Sequence, residues 1–245
     1  MYFDQQEFDI RCEWGEHGVA VLAPISDVVI IVDVLSFSTA VDIAVHQGAT
    51  VFPYHWNDQR AEKFAAAIQA VLADPRRTKG KYSLSPESLL HIQPGERIVL
   101  PSPNGAALTL AAKPRTVLAG CLRNARSVAL AANRYGTRIA VIPAGERWKD
   151  DLSLRPSFED LIGAGAIISH LTGSLSPEAM SAVAAFHEAN SELGKHLRQC
   201  SSGKELIGRG FSEDVRLASE LDSSDSVPIF IEDAFVREGA KDQRG

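Results

Sequence analysis

Cysteine is scarce: Cys12, Cys121 and Cys200 are the only three in 245 residues, far apart and with no C-x-x-C pair. That count excludes a disulfide scaffold or a cysteine-rich zinc site, and it suits reduced thiols in a cytoplasm. A surplus of positive charge is also missing. With 25 Lys+Arg against 31 Asp+Glu the formal net charge is −6. Broad nucleic-acid binding, which needs a basic face to displace counterions, is therefore not expected. No apolar run approaches the ~18 residues of a membrane span. The acidic opening Met1-Tyr-Phe-Asp-Gln-Gln-Glu7 differs from the basic start of a signal peptide. The expectation is a cytoplasmic protein with neither nucleic acid nor membrane as partner. Several enzyme signatures are absent: no G-x-G-x-x-G follows a strand, and there is no Walker lysine and no G-x-S-x-G elbow. His187-Glu188 has Ser191 where a zinc H-E-x-x-H motif needs histidine. The seven histidines show no close ligand spacing and read as structural.

What the chain does have is the composition of a folded core. Hydrophobic residues make up 45% and charged residues 23%, ordinary values for a globular protein. A chain of this length can bury roughly three quarters of its unfolded surface. Asp27-Val-Val-Ile-Ile-Val-Asp33 is an unbroken β-branched run, which reads as a strand buried on both faces of a parallel sheet. A helix at 38–46 follows, then a strand at 50–54. Residues 57–72 read as an amphipathic helix capped by Asn57 and stopped by Asp74-Pro75. The stretch 76–93 is looser. Three strand–helix alternations then run 97–100 with 104–112, 116–119 with 124–134, and 138–142 with 158–171. Such spacing predicts right-handed βαβ crossovers. Residues 177–217 look mostly helical, and 227–231 could form a last strand, with Pro228 at an edge or a strand start. The expected fold class is α/β: a single domain over 1–245, mainly parallel sheet with helices on both faces, and a helical portion around 174–220.

In open parallel sheets, ligands bind beyond the carboxyl ends of the strands. That points to the loops at 33–38, 101–105, 120–124 and 144–148. Asp33 closes a dry apolar run, so its carboxylate needs a cation or several donors as partners. Mg²⁺ would serve; so would capping of the next helix or an arginine. Ser36, Ser38 and Thr39 read either as helix caps or as anion contacts. Asn104-Gly105 and Asn124 each open an Ala-rich helix, either as plain caps or aimed at a phosphate. Arg123, Arg126 and Arg147 flank these loops and offer planar forks for phosphate or sulfonate. Ser157-Phe-Glu-Asp160 fits a capping box with Asp160 at its third position, a reading that competes with a metal role. Glu159 has no such structural alternative, and Gly163-Ala-Gly165 allows close packing of its helix. Glu146, Asp150 and Asp151 are adequately explained as acids of an exposed loop.

Taken together, Asp33-Val-Leu-Ser-Phe-Ser-Thr39, Pro103-Asn-Gly105, Leu122-Arg-Asn-Ala125 and Glu159-Asp-Leu-Ile-Gly-Ala-Gly165 resemble the 2-phosphosulfolactate phosphatase family in order and spacing. Gly210-Phe-Ser-Glu-Asp-Val215 and Val227-Pro-Ile229 are similar to that family's ending. The resemblance implies a Mg²⁺-dependent acid phosphatase that releases phosphate from 2-phospho-3-sulfolactate. It also implies Asp33, Glu159 and Asp160 as metal or catalytic carboxylates, with Asn104, Gly105 and Asn124 contacting the ligand. Ser36, Ser38, Arg123 and Arg147 complete the expected substrate-binding set. Where the family usually has Asp-Val-Leu-Arg-Ala, this chain has Ser36, and Arg147 or Arg155 are the candidates to replace the missing guanidinium. Leu84-Ser-Pro86 and Ala106 depart from the family's Asn-Ser-Pro and Asn-Gly-Thr, and the stretch 145–156 is longer than usual. The functional expectation is hydrolysis of a small anionic phosphomonoester with Mg²⁺ as cofactor, a homo-oligomer being one possible assembly. The alternative from another class is a non-catalytic phosphate- or sulfonate-binding protein that retains the pocket.

Overall fold

The β-branched runs read from the sequence become the middle of a nine-stranded sheet in the computed structural model, which describes residues 2–55, 58–112 and 115–239. In chain order the elements are β1 (Ile10–Cys12), α1 (Gly15–Leu22), β2 (Val28–Val32), α2 (Phe37–His46), β3 (Thr50–Tyr54), α3 (Gln59–Ala67), β4 (Val71–Leu72), β5 (Arg97–Pro101) and α4 (Gly105–Ala111). They continue with β6 (Thr116–Gly120), α5 (Ala125–Tyr135), β7 (Ile139–Pro143), β8 (Glu146–Arg147), β9 (Leu154–Arg155) and α6 (Phe158–Ile168). The last group is α7 (Pro177–Ala189), α8 (Leu193–Gln199), α9 (Ser201–Gly208), α10 (Ser212–Ala218), β10 (Pro228–Ile231) and β11 (Ala234–Arg237). The class is α/β with a mostly parallel sheet and a helical C-terminal portion, as expected.

The sheet order is β1-β7-β2-β6-β10-β11-β3-β5-β4. Its arrangement departs from a simple doubly wound sheet. β1, β7, β2 and β6 pair in parallel, as do β3, β5 and β4. Between these blocks sits the antiparallel β10–β11 hairpin, joined antiparallel to β6 on one side and to β3 on the other. Three successive reversals make the two blocks run in opposite directions. The hairpin meets each block through one residue pair, Ile229 with Leu118 and Phe235 with Val51. Pro228 therefore lies in the interior of the sheet, at the first residue of its strand, where its missing N–H is tolerated.

Alternation along β2 explains why this run is apolar at every position. Val28, Ile30 and Val32 join a core built with α5, α6 and α7, while Val29 and Ile31 face Val19, Leu22 and Leu108 of α1 and α4. Gly163 and Gly165 divide their duties. A Cβ on Gly163 would lie 2.6 Å from Val34, and one on Gly165 would lie 2.0 Å from the Ala182 carbonyl of α7. The close packing expected of α6 is thus against the β2 end on one side and α7 on the other.

The helix expected over 57–72 is shorter. Asp58 caps α3, accepting the Arg60 and Ala61 N–H groups, and Val71–Leu72 pairs with β5 as an edge strand. Asn57 lies outside the described residues. β1, α1, β8, β9 and β11 carry no clear sequence signal; β1 and α1 pack against β7 and complete the first block.

Candidate active site

Asp33 follows the last residue of β2 and is 6% exposed. Its Oδ1 accepts the Phe37 N–H at 3.1 Å, so it does cap α2, and its Oδ2 accepts the Gly105 N–H at 2.9 Å. Burial pushes this carboxyl up to about 6; the two N–H groups pull it down, Glu159 pushes it up, and Arg77 pulls it down. Gly105 must be glycine here: a Cβ would sit 2.4 Å from the Phe37 ring and 2.8 Å from Asp33 Oδ2. The loop that delivers Gly105 follows β5, a strand of the reversed block, so the site draws on both halves of the sheet.

The acid pair opening α6 reaches the same place. Asp160 Oδ1 accepts the Val34 N–H at 2.7 Å, next in the chain to Asp33. Its Oδ2 accepts the Gly145 N–H and the Ser157 hydroxyl, both at 2.8 Å. The capping box read from Ser157 to Asp160 is thus replaced by another arrangement. Ser157 makes no side-chain cap bond, and Asp160 instead ties the ends of β2 and β7 to the start of α6. Burial, with the charges of Asp33 and Glu159, raises the Asp160 carboxyl well above the ordinary range. Gly145 adopts φ +68°, and a Cβ there would meet Leu154 at 2.7 Å. Glu159 is 2% exposed and faces the Cys200 thiol at the α8–α9 junction. Burial, then the charge of Glu159, pushes that thiol up to about 12.

Glu146, taken from sequence as an exposed loop acid, belongs to this cluster. It lies in β8, directly opposite Arg155 of β9, and its Oε2 accepts the Asn104 side-chain N–H at 3.0 Å. Burial pushes its carboxyl up to about 7, helped by Asp33 and Glu159 and opposed by Asn104 and Arg155. Asn104 therefore holds a carboxylate; it makes no side-chain cap bond. Asp150 and Asp151 are exposed, as expected.

The guanidinium groups are distributed differently from the sequence expectation. Arg123 binds the fully buried Asp42 through Nε at 3.1 Å and also pairs with Glu220 and the Leu217 carbonyl. Arg147 is engaged by Glu16 and the Leu152 carbonyl. The guanidinium groups that pull the pocket carboxyls down are Arg77 at Asp33 and Arg155 at Glu146. Arg155 donates to the Ser202 hydroxyl at 3.2 Å, 5.8 Å from the Trp148 ring centre. Arg77, which no sequence pattern singled out, reaches the Ser36 hydroxyl at 3.4 Å and Asp214 at 2.9 Å. Asn124 turns inward, accepting the Cys121 N–H at 2.9 Å and donating to the Ala119 carbonyl. Ser38 uses its hydroxyl within the β2–α2 turn, accepting the Asp33 N–H and donating to Ile31.

A hard divalent cation takes carboxylate oxygens, and Mg²⁺ commonly uses one or two carboxylates plus substrate phosphate instead of an all-protein cage. The donor set matches that habit: Asp33 and Glu159 are buried acids whose like charges oppose one another. Among the described residues, no three His, Cys, Asp or Glu side chains form a ready-made metal group. Asp160 already accepts three protein donors and serves as an anchor.

Buried carboxylates with guanidinium groups beside them, gathered in loops beyond strand ends, suit a small anionic substrate. Comparison with known proteins gives the class, a phosphoric monoester hydrolase. A family model described as 2-phosphosulpholactate phosphatase matches residues 21–233, and the chain belongs to that family. A probable 2-phosphosulfolactate phosphatase of Pseudothermotoga lettingae is 25% identical over 215 residues, covering 86% of this chain and 92% of the relative. The 2-phosphosulfolactate phosphatase of Methanothermobacter thermautotrophicus is 29% identical over 136 residues, 56% of this chain and 57% of its own length. A probable 2-phosphosulfolactate phosphatase of Carboxydothermus hydrogenoformans is 33% identical over 137 residues, 55% of each chain. Among the described residues no helix is long and apolar enough to cross a membrane.

Proposed function

We propose that this chain hydrolyses the phosphate ester of a small phosphorylated hydroxy acid, 2-phosphosulfolactate or a close analogue, with Mg²⁺ held by Asp33 and Glu159. The observation that carries this reading is the meeting of Asp33, at the end of β2, with Glu146 and the acid pair of α6. When bound, Mg²⁺ would offset the charge of the phosphoryl oxygens. Both Asp33 oxygens already accept backbone N–H groups, which favours water over Asp33 as the attacking group. Glu146 suits the role of proton carrier. With its carboxyl near 7 it is partly protonated at neutral pH, and Asn104 holds Oε2, leaving Oε1 to give its proton to the departing alkoxide. Asp160 fixes the positions of Val34 and Gly145 around these groups.

The test is phosphate release from a panel of phosphorylated hydroxy acids, 2-phosphosulfolactate included, with Mg²⁺ and with EDTA. The expected result is release that EDTA abolishes and Mg²⁺ restores. A folded sample that releases nothing from any of them sinks the hydrolytic reading. Release that EDTA leaves intact sinks the metal.

A further inference from the structure

Arg77 is a buried cation held at some cost. It lies in the segment after β4, its side chain is 9% exposed, and burial works against its charge. Asp214 of α10, fully buried, takes Arg77 Nη1 at 2.9 Å and also accepts the Ser85 hydroxyl at 2.6 Å and the Glu87 N–H at 3.0 Å. That carboxylate thus fixes the guanidinium against the 3₁₀ turn at Pro86–Leu89. Nη2 points to Ser36 Oγ at 3.4 Å, a long and weak contact, in the turn that begins at Asp33. These two bonds use two of the five N–H donors of a guanidinium. Arg77 and Arg209 both lie near the Phe211 ring, 5.2 Å and 5.8 Å from its centre, and their like charges oppose each other. Arg209 has a distant partner in Glu205, at 3.7 Å. Arg77 also feels the charge of Asp33, which places it beside the acidic floor.

We propose that Arg77, braced by Asp214, is the specificity-determining residue that receives the second anionic group of the substrate, a sulfonate or a carboxylate, while the phosphate lies toward Asp33. The planar fork suits either oxyanion, and its contact with Ser36 directs it to the turn that begins at Asp33. This assignment rests on the phosphatase reading, and the experiment separates the two.

Three substrates are compared in wild type, Arg77→Met and Arg77→Lys: 2-phosphosulfolactate, 2-phospholactate (no sulfonate) and the phosphate ester of 2-hydroxyethanesulfonate (no carboxylate). Wild type should prefer 2-phosphosulfolactate over the analogue lacking the group that Arg77 holds. In Arg77→Met that preference in kcat/KM should fall at least about tenfold, the loss of a charge-assisted hydrogen bond, mainly through KM. Arg77→Lys should lose less, and it carries the comparison if Arg77→Met does not fold. The arm that collapses tells sulfonate from carboxylate. Equal losses on all three substrates, or no loss, overturn the assignment and leave Arg77 a structural residue. If wild type hydrolyses none, the phosphatase reading fails and 3-sulfolactate in a melting assay decides. Stabilisation of wild type but not of Arg77→Met sustains the anion contact; equal stabilisation, or none, overturns it.

Discussion

The Gly105 N–H donates to Asp33 Oδ2 at 2.9 Å, although the strands leading to these two residues run in opposite directions. One bond thus joins the floor of the pocket across both blocks of the sheet. Replacing Gly105 with alanine would place a methyl 2.4 Å from the Phe37 ring and 2.8 Å from that oxygen. Overpacking of this kind costs about 1–3 kcal/mol. A lower melting temperature, together with at least a hundredfold fall in kcat, is expected, since displacements near 1 Å cost about that much. Unchanged kinetics would show that Asp33 tolerates being moved.

Glu146 governs the next prediction. Its carboxyl lies near 7, so as a proton donor it should lose effect as pH rises through about 7. The rate should fall on that alkaline limb. Glu146→Gln should cost about 10²–10⁴ in kcat and abolish the limb. Asn104 holds this carboxyl down; Asn104→Ala should therefore move the limb to higher pH. A limb that stays in place in both variants assigns it to another group.

Stability should respond to pH in a direction opposite to that of ordinary salt-bridged acids. Burial raises Asp33 to about 6 and Glu146 to about 7 from ordinary values of 3.8 and 4.5. The folded state therefore binds protons more tightly than the unfolded chain. Its stabilising contribution is complete below the ordinary carboxylate range and is lost as pH rises through about 6 and then about 7. EDTA-treated protein should melt lower at pH 8 than at pH 5, and Mg²⁺ should raise the melting point more at pH 8. Glu146→Gln should shrink the difference between the two pH values. A metal-free protein that is equally stable at both would contradict the buried repulsion.

Arg123 was expected to bind substrate, and the structure gives it another occupation. It neutralises Asp42, which is fully buried and also accepts the Ser224 hydroxyl at 2.7 Å. Removing one partner of such a pair costs about 3–5 kcal/mol. Arg123→Ala should lose stability on that scale, read from denaturant melts, while KM stays unchanged, since no uniform-binding contact is removed. A large KM change in a fully folded variant would return Arg123 to the site.

Much of the site was legible because its members carry local signals. Asp33 ends an apolar run, Asn104-Gly105 opens a helix, and Glu159 and Asp160 begin another. The strand-end rule located Asp33 and Asn104-Gly105, while the acid pair was read from the opening of its helix; the structure brings both to Asp33. Glu146 was missed because burial of a short hairpin is a tertiary event; its neighbours Asp150 and Asp151 look alike in sequence and stay exposed. Arg77 sits in a run with Arg76, Lys79 and Lys81 that reads as a solvated loop, and its partner Asp214 is 137 residues away. The reversal of the second block was equally hidden. Strand–helix alternation is the same in either direction, and the hairpin that imposes the reversal comes at the far end of the chain. The 57–72 helix ran long because apolar spacing continues smoothly from α3 into the edge strand Val71–Leu72.

That hairpin has a consequence for how the molecule is made. Among the described elements its strands come last in chain order, yet they lie between the two parallel blocks. Until residues 228–237 emerge, β6 and β3 are bare edges, the kind that recruit foreign strands. Without that late hairpin the two parallel blocks have no strand to join them.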